Sequence, residues 1–84
     1  MSKWSKLYQQ LLSNPNMIVR FGDLEGLLRA FGFVHLRTKG SHKSYRHPMV
    51  PDILTVQPRG KDAVSYQVQR LLELIRAYDL HMSG

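Results

Sequence analysis

The stretch GFVHLRTKGSHKSYRHP, residues 32–48, changes its periodicity partway and so decides the fold. Before it, Leu24, Leu27, Leu28 and Phe31 recur at helical spacing, with Asp23 placed to cap the start of that helix. Gly32 follows the last apolar residue, where a helix commonly ends in a left-handed residue. From Phe33 the period falls to two: Val34, Leu36 and Thr38 alternate with His35, Arg37 and Lys39, as in a half-buried strand. Gly40-Ser41 reads as a turn, and residues 42–47 as a second strand whose large apolar residue is Tyr45.

Parity sorts these side chains, because successive strand residues point to opposite faces. With Gly40-Ser41 as a two-residue hairpin loop, Lys39 pairs with His42, Arg37 with Ser44 and His35 with Arg46, and Leu36 meets Tyr45 on the core side. Val34, Leu36, Lys43, Tyr45 and His47 then face inward, and His35, Arg37, Lys39, His42, Ser44 and Arg46 share the open face. Both strands agree on which face is apolar, which supports this pairing.

Outward from the hairpin, Trp4, Leu7, Tyr8, Leu11 and Leu12 form one helical stripe that Asn14-Pro15-Asn16 ends. Past the hairpin, MVPD reads as a loop, ILTVQ as a third strand and RGKD as a further loop. Val64, Val68, Leu71, Leu72 and Ile75 mark a last helix, with Ser65 or Asp62 as its cap. The order is α-α-β-β-β-α, an α+β class in which helices cover one face of a three-stranded antiparallel sheet.

Composition narrows the function. An 84-residue chain holds one small core, and the absence of cysteine excludes disulfides, thiolate zinc sites and cysteine nucleophiles while fitting a reducing compartment. The beginning has no unbroken apolar run resembling a signal peptide and nothing later is long enough to cross a bilayer, so a cytoplasmic location without membrane attachment is expected. The formal net charge is +6, and residues 26–51 hold no acid but Arg29, Arg37, Lys39, Lys43, Arg46 and three histidines. A cationic field concentrated in this way favours a polyanionic partner.

The open face combines imidazole with guanidinium and ammonium groups. Arg and Lys hold phosphates, and histidine exchanges a proton near neutral pH. Cleavage of RNA without a metal needs such a set: a base for the ribose 2′-hydroxyl, cations for the charge developing on phosphorus, and an acid for the leaving oxygen. The same residues equally suit a solvated strand face, where Lys and Arg deter edge pairing. Arg59 and Lys61 fit either an RNA-backbone contact or a loop kept charged for solubility. A zinc site is disfavoured, because His42 and His47 fall on opposite strand faces and no cysteine or nearby carboxylate completes a ligand set. Ser41 beside His42 has no acid nearby to orient the imidazole, against a serine nucleophile. Trp4, Phe21, Phe31 and Phe33 read as core, which leaves no aromatic pair on the sheet for base stacking.

The ordered set Gly32-Phe33, RTKGSHKSYRHP, TVQP and a closing amphipathic helix resembles the HicA family of bacterial toxins. That resemblance implies a double-stranded-RNA-binding-domain-like fold over residues 21–80, preceded by a helical extension (residues 1–20) and followed by a tail (residues 81–84). It implies a ribonuclease that degrades mRNA, with His42 of Gly-Ser-His as the catalytic residue; taken with the residue reading above, a metal-independent endoribonuclease without a cofactor is expected. Around His42, Arg37, Lys39, Gly40, Ser41, Lys43, Ser44 and Arg46 are expected to bind RNA, Lys43 by reaching the rim despite its inward parity. His47 matches the family's histidine before proline, for which no catalytic role is carried over. A HicB-like antitoxin covering the active face is the implied protein partner. The extension at residues 1–20 departs from the family pattern; packing on the domain, a dimer contact, an antitoxin contact and a position across the sheet all remain open for it. A non-catalytic RNA-binding module of the same fold, or a domain whose basic sheet serves an acidic protein, would show the same charges.

Overall fold

Leu24, Leu27 and Leu28 are buried on one side of a helix, α2 (Phe21–Ala30), and around that side the rest of the chain is assembled. The structure is a computed structural model and describes residues 2–82, so the expected tail at residues 81–84 lies partly outside the described residues. The elements are α1 (Lys3–Ser13), α2, β1 (Val34–Lys39), β2 (His42–His47), β3 (Val50–Val56), β4 (Pro58–Arg59), β5 (Asp62–Ala63) and α3 (Ser65–Ala77). Strands β1, β2 and β3 form an antiparallel sheet in that order, and the three helices bring their apolar sides to one core with it, an α+β arrangement of the double-stranded-RNA-binding-domain type. Leu11 of α1, Tyr45 of β2, Leu54 and Val56 of β3, and Val68, Leu71 and Ile75 of α3 meet in that core.

The end of α2 aims the chain into the sheet. Gly32 adopts φ +92°, its N–H donates to the Arg29 carbonyl, and the Phe33 N–H donates to the Leu28 carbonyl at 3.0 Å. These two bonds make a Schellman motif, which needs a left-handed residue and carries an apolar residue behind it. Phe33 fills that role and is buried. The expected helix caps are not found. Arg20, not Asp23, occupies the cap of α2, and Val64, not Ser65 or Asp62, that of α3, neither with a side-chain cap bond. Asp23 lies in the first turn of α2, where a carboxylate favours the helix dipole, and pairs with Lys3 at 3.2 Å.

The pairing near the hairpin turn is as expected, with Lys39 opposite His42 and Arg37 opposite Ser44. Gly40 alone in the turn has positive φ (+63°), the demand of a two-residue loop with glycine first. Beyond Arg37 the expectation fails. A β-bulge at Leu36 puts His35 opposite Tyr45 and Val34 opposite Arg46, in place of the expected His35–Arg46 and Leu36–Tyr45 pairs. Phe33 enters the core, while beyond it Val34 and Leu36 on this edge strand remain 59% and 40% exposed.

Two loops read from the sequence are strands. Val50, Pro51 and Asp52 belong to β3, and the turn is confined to residues 48–49. Pro51 is tolerated because β3 is an edge strand, where a missing N–H breaks no central ladder. Around Gly60 (φ +62°) the RGKD stretch closes a small hairpin in which Arg59 pairs with Asp62. Residues 19–20 add to it: the Ala63 N–H donates to the Val19 carbonyl at 2.7 Å, and Arg20 bridges to Asp62.

Helix α1 packs within the helical layer and does not cross the sheet. Ser2 caps it, accepting from the Ser5 N–H at 3.1 Å. The Trp4 indole lies where a Cβ on Gly26 would be, so only glycine admits it, and the Tyr8 ring meets Phe31 edge-on at 5.0 Å. Of the predicted stripe, Leu12 alone is exposed, beside a cavity of about 810 Å³ between α1 and α3.

Candidate nucleic-acid interface

The hairpin tip carries the candidate site. Lys39 and His42 face each other across the last pair before the turn, Arg37 and Ser44 across the next pair on the same face, and Arg46 follows along β2. Directly paired residues project to the same side, so the turn brings Arg37, Lys39, His42 and Ser44 together. Lys39, Gly40, Ser41, His42, Arg37 and Arg46 are all exposed. Among the described residues, Arg37, Lys39 and Arg46 enter no ion pair. Their charge is therefore presented to solvent on this face.

Two residues expected at the RNA surface are held elsewhere. Ser44 is only 8% exposed, and its hydroxyl shares a hydrogen bond of 3.3 Å with Thr55 Oγ1 on the neighbouring strand. Lys43 points to the helical side, where its ammonium meets Glu25 Oε2 at 3.1 Å and lies 5.7 Å from the centre of the Phe21 ring. Alternation explains the division: His42, Ser44 and Arg46 share one parity, Lys43, Tyr45 and His47 the other.

Inside, Tyr45 is completely buried and donates its hydroxyl to Glu25 Oε2 at 2.6 Å, with Arg29 Nη1 approaching the same oxygen of Tyr45 at 3.5 Å. Burial pushes the Tyr45 phenol up to about 12, reinforced by the bond to Glu25. For Glu25, burial also pushes upward, but the bonds from Tyr45 and Lys43 and the charges of Lys43 and Arg29 outweigh it and hold the carboxyl below its usual range. The sequence reading did not single out this cluster. Its signal was available: a tyrosine assigned to the core needs a partner for its hydroxyl, and Glu25 and Arg29 stand one helical turn apart on the helix that faces it.

The other histidines part company with His42. His47 Nδ1 accepts the Met49 N–H at 3.0 Å, and its ring lies 5.1 Å from that of Phe33, so it fastens the turn between β2 and β3. His35, expected on the open face, is carried by the bulge to the Tyr45 side, with ring centroids 5.4 Å apart and Nε2 2.8 Å from Thr38 Oγ1. His42 is thus the one imidazole among the described strand residues that shares a face with Arg37 and Lys39. Among the described residues, no three histidines or carboxylates gather into a group that would hold a metal ion, and no helix is long and apolar enough to cross a membrane.

The chain is a small α+β domain that presents a histidine beside cations which, among the described residues, enter no ion pair, at one hairpin tip. The family model for the HicA toxin of bacterial toxin–antitoxin systems matches residues 21–76, from the first residue of α2 to the last turn of α3. The match spans more than half of the chain, and the protein belongs to the HicA toxin family. No curated protein and no solved structure matches the chain significantly.

Proposed function

We propose that this HicA-family toxin is an endoribonuclease that cleaves mRNA through His42 and requires no metal ion. The observation that carries the reading is the pairing at the hairpin tip, where Lys39 lies directly opposite His42 and Arg37 one pair further along the same face. In this reading the imidazole takes the proton from a ribose 2′-hydroxyl, whose oxygen attacks the adjacent phosphorus; the bond from phosphorus to the 5′-oxygen of the next nucleotide breaks, and that oxygen leaves with a proton from water or from the imidazolium, giving a 2′,3′-cyclic phosphate. Lys39 and Arg37 hold the phosphate and offset the charge that develops on its oxygens, and Arg46 binds the strand further along β2. Gly40 and Ser41 keep the turn narrow enough for a phosphate to reach His42. Ser44 and Lys43 act behind the surface, Ser44 through Thr55 and Lys43 through Glu25. The protein works in the cytoplasm, beside its mRNA, and a HicB-like antitoxin covers the basic face with acidic or polar groups.

A second reading, an RNA-binding module that does not cut, is favoured by one observation: among the described residues, nothing hydrogen-bonds the His42 ring to orient it. The two readings share every cation and separate at His42. Purified protein and His42→Ala, both shown to be folded by circular dichroism, are incubated with a long mRNA in excess EDTA. Cleavage by the parent alone supports catalysis at His42. Equal RNA binding with no cleavage by either protein supports the module.

A further inference from the structure

A second group of cations stands at the same end of the molecule as His42, on a different sheet. Asp62 is paired on one side with Arg59 across the β4–β5 hairpin and on the other with Arg20, which joins through an isolated bridge. Paired residues project to one face, so the two arginines flank Asp62 on one surface, about 10 Å apart by two interstrand steps of about 4.8 Å. Lys61 occupies the adjoining turn. Arg20, Arg59 and Lys61 are exposed and, among the described residues, none is in an ion pair. Three cations surround one carboxylate, leaving a surplus of positive charge.

The covalent and packing path ties this group to the hairpin tip. Val56, the last residue of β3, pairs with Lys43, the neighbour of His42, and β4 begins after Gln57 alone. The Lys43 ammonium faces the Phe21 ring, and the Phe21 N–H donates to the Lys61 carbonyl at 3.0 Å. Arg20 immediately precedes Phe21 and lies outside the segment matched to the family. The β4–β5 hairpin therefore begins beside the hairpin tip, through Val56, while its contact with Phe21 lies on the helical side, where the Lys43 ammonium also lies.

We infer that Arg20, Arg59 and Lys61 form a second phosphate-binding site, which holds the backbone of the RNA strand whose scissile phosphate lies at His42. The inference rests on the RNA-directed reading above and extends it. Within the β4–β5 hairpin no large apolar side chain is exposed, whereas the fully buried centre of a protein–protein contact is apolar. A repeating anion such as RNA is the partner that a cationic hairpin of this kind fits. The backbone contact carries no sequence information, so it fixes the strand without selecting bases.

The test is the salt dependence of affinity for a labelled single-stranded RNA, measured by fluorescence anisotropy on the full chain carrying His42→Ala to prevent cleavage. Arg20, Arg59 and Lys61 are replaced by Gln singly and together, and each variant is first melted by circular dichroism. Each lost phosphate contact should lower the slope of log K against log[salt] by about 0.7, and the triple variant by about 2. The weakening should be equal for unrelated RNA sequences. Should the triple variant fold poorly, Arg59→Gln with Lys61→Gln gives the same reading, with a slope change of about 1.4. If the parent binds RNA and the variants keep its affinity and slope, the second site is overturned while His42 and its neighbours stand. A parent that does not bind RNA overturns both readings. Variants that lose affinity for polyglutamate yet keep it for RNA assign the hairpin to an acidic protein and overturn the inference.

Discussion

The Tyr45 hydroxyl and Glu25 Oε2 lie 2.6 Å apart, joining the centre of the sheet to the helix behind it. Lys43 completes the cluster, so β2 is attached to α2 by two side chains of one strand. Tyr45→Phe removes the donor and should destabilise the fold by about 1–2 kcal/mol. Glu25→Ala should do more, because it leaves the buried phenol without its acceptor and Lys43 without its counterion. Urea titrations measure both.

The same cluster gives stability a pH dependence of known sign. The Glu25 carboxyl is lower in the folded chain than its ordinary value of 4.5, so its contribution is present above that value and fades as pH falls through the depressed one. Tyr45 is raised from 10.0 to about 12, so its contribution is complete below 10.0 and is lost as pH rises toward about 12. Glu25→Gln should flatten the acid limb of the urea midpoint plotted against pH. An unchanged acid limb in that variant would assign the loss to other carboxylates.

His47 and His42, five residues apart, should respond oppositely to replacement by Ala. His47 supplies one hydrogen bond to the Met49 N–H and one aromatic contact to Phe33, together worth about 2 kcal/mol. Its loss should lower the melting temperature and leave activity per folded molecule intact. His42→Ala, at the exposed start of β2, should abolish cleavage with stability unchanged within about 0.5 kcal/mol. A stability loss at His42 equal to that at His47 would contradict this division.

Gly26→Ala sets two effects against each other. Alanine improves helix propensity by about 1 kcal/mol, but the new methyl overlaps the Trp4 indole, and overpacking of this kind costs about 1–3 kcal/mol. Net destabilisation is expected, with the indole displaced toward water. The chain has a single tryptophan, so a red shift of its fluorescence reports the displacement directly. An unshifted spectrum would mean that α1 does not dock through Trp4.

The bulge is tested by Val34→Thr and Leu36→Thr. An inward strand residue loses several kcal/mol when made polar, whereas these exposed positions should change by less than about 0.5 kcal/mol. Leu54→Ala on β3, which faces the core, should lose about 2–5 kcal/mol in the same chemical denaturation series.

These positions also mark what the sequence could reveal. Helical periodicity located α1, α2 and α3, and the Gly40-Ser41 turn with strict alternation located the pairing from Arg37 to Lys39, because both signals are local. Leu36 was misplaced because alternation assumes an unbroken ladder, and a bulge leaves no compositional mark in a strand that is polar and apolar by turns. Val50 pairs with His47 and Asp62 with Arg59 across turns only two residues long, so the turn-forming proline and glycine beside them suggested loops where short strands form. Lys43 illustrates the limit at the site: its parity was legible, while its partner, Glu25, stands on another element.

Lys43, Tyr45 and His47 each have a distinct chemical seat behind the sheet: a carboxylate, the core, and a turn amide beside Phe33. None of the three seats suits the residue next in line, since Ser44 is too short to reach Glu25, Arg46 is too charged for the core, and the Pro48 ring has no acceptor for the Met49 N–H. The strand therefore carries a parity check. Any shift that reads its residues in the wrong phase is rejected three times over on the inside, and the fidelity with which His42 is displayed outward is set by side chains that never touch what it faces.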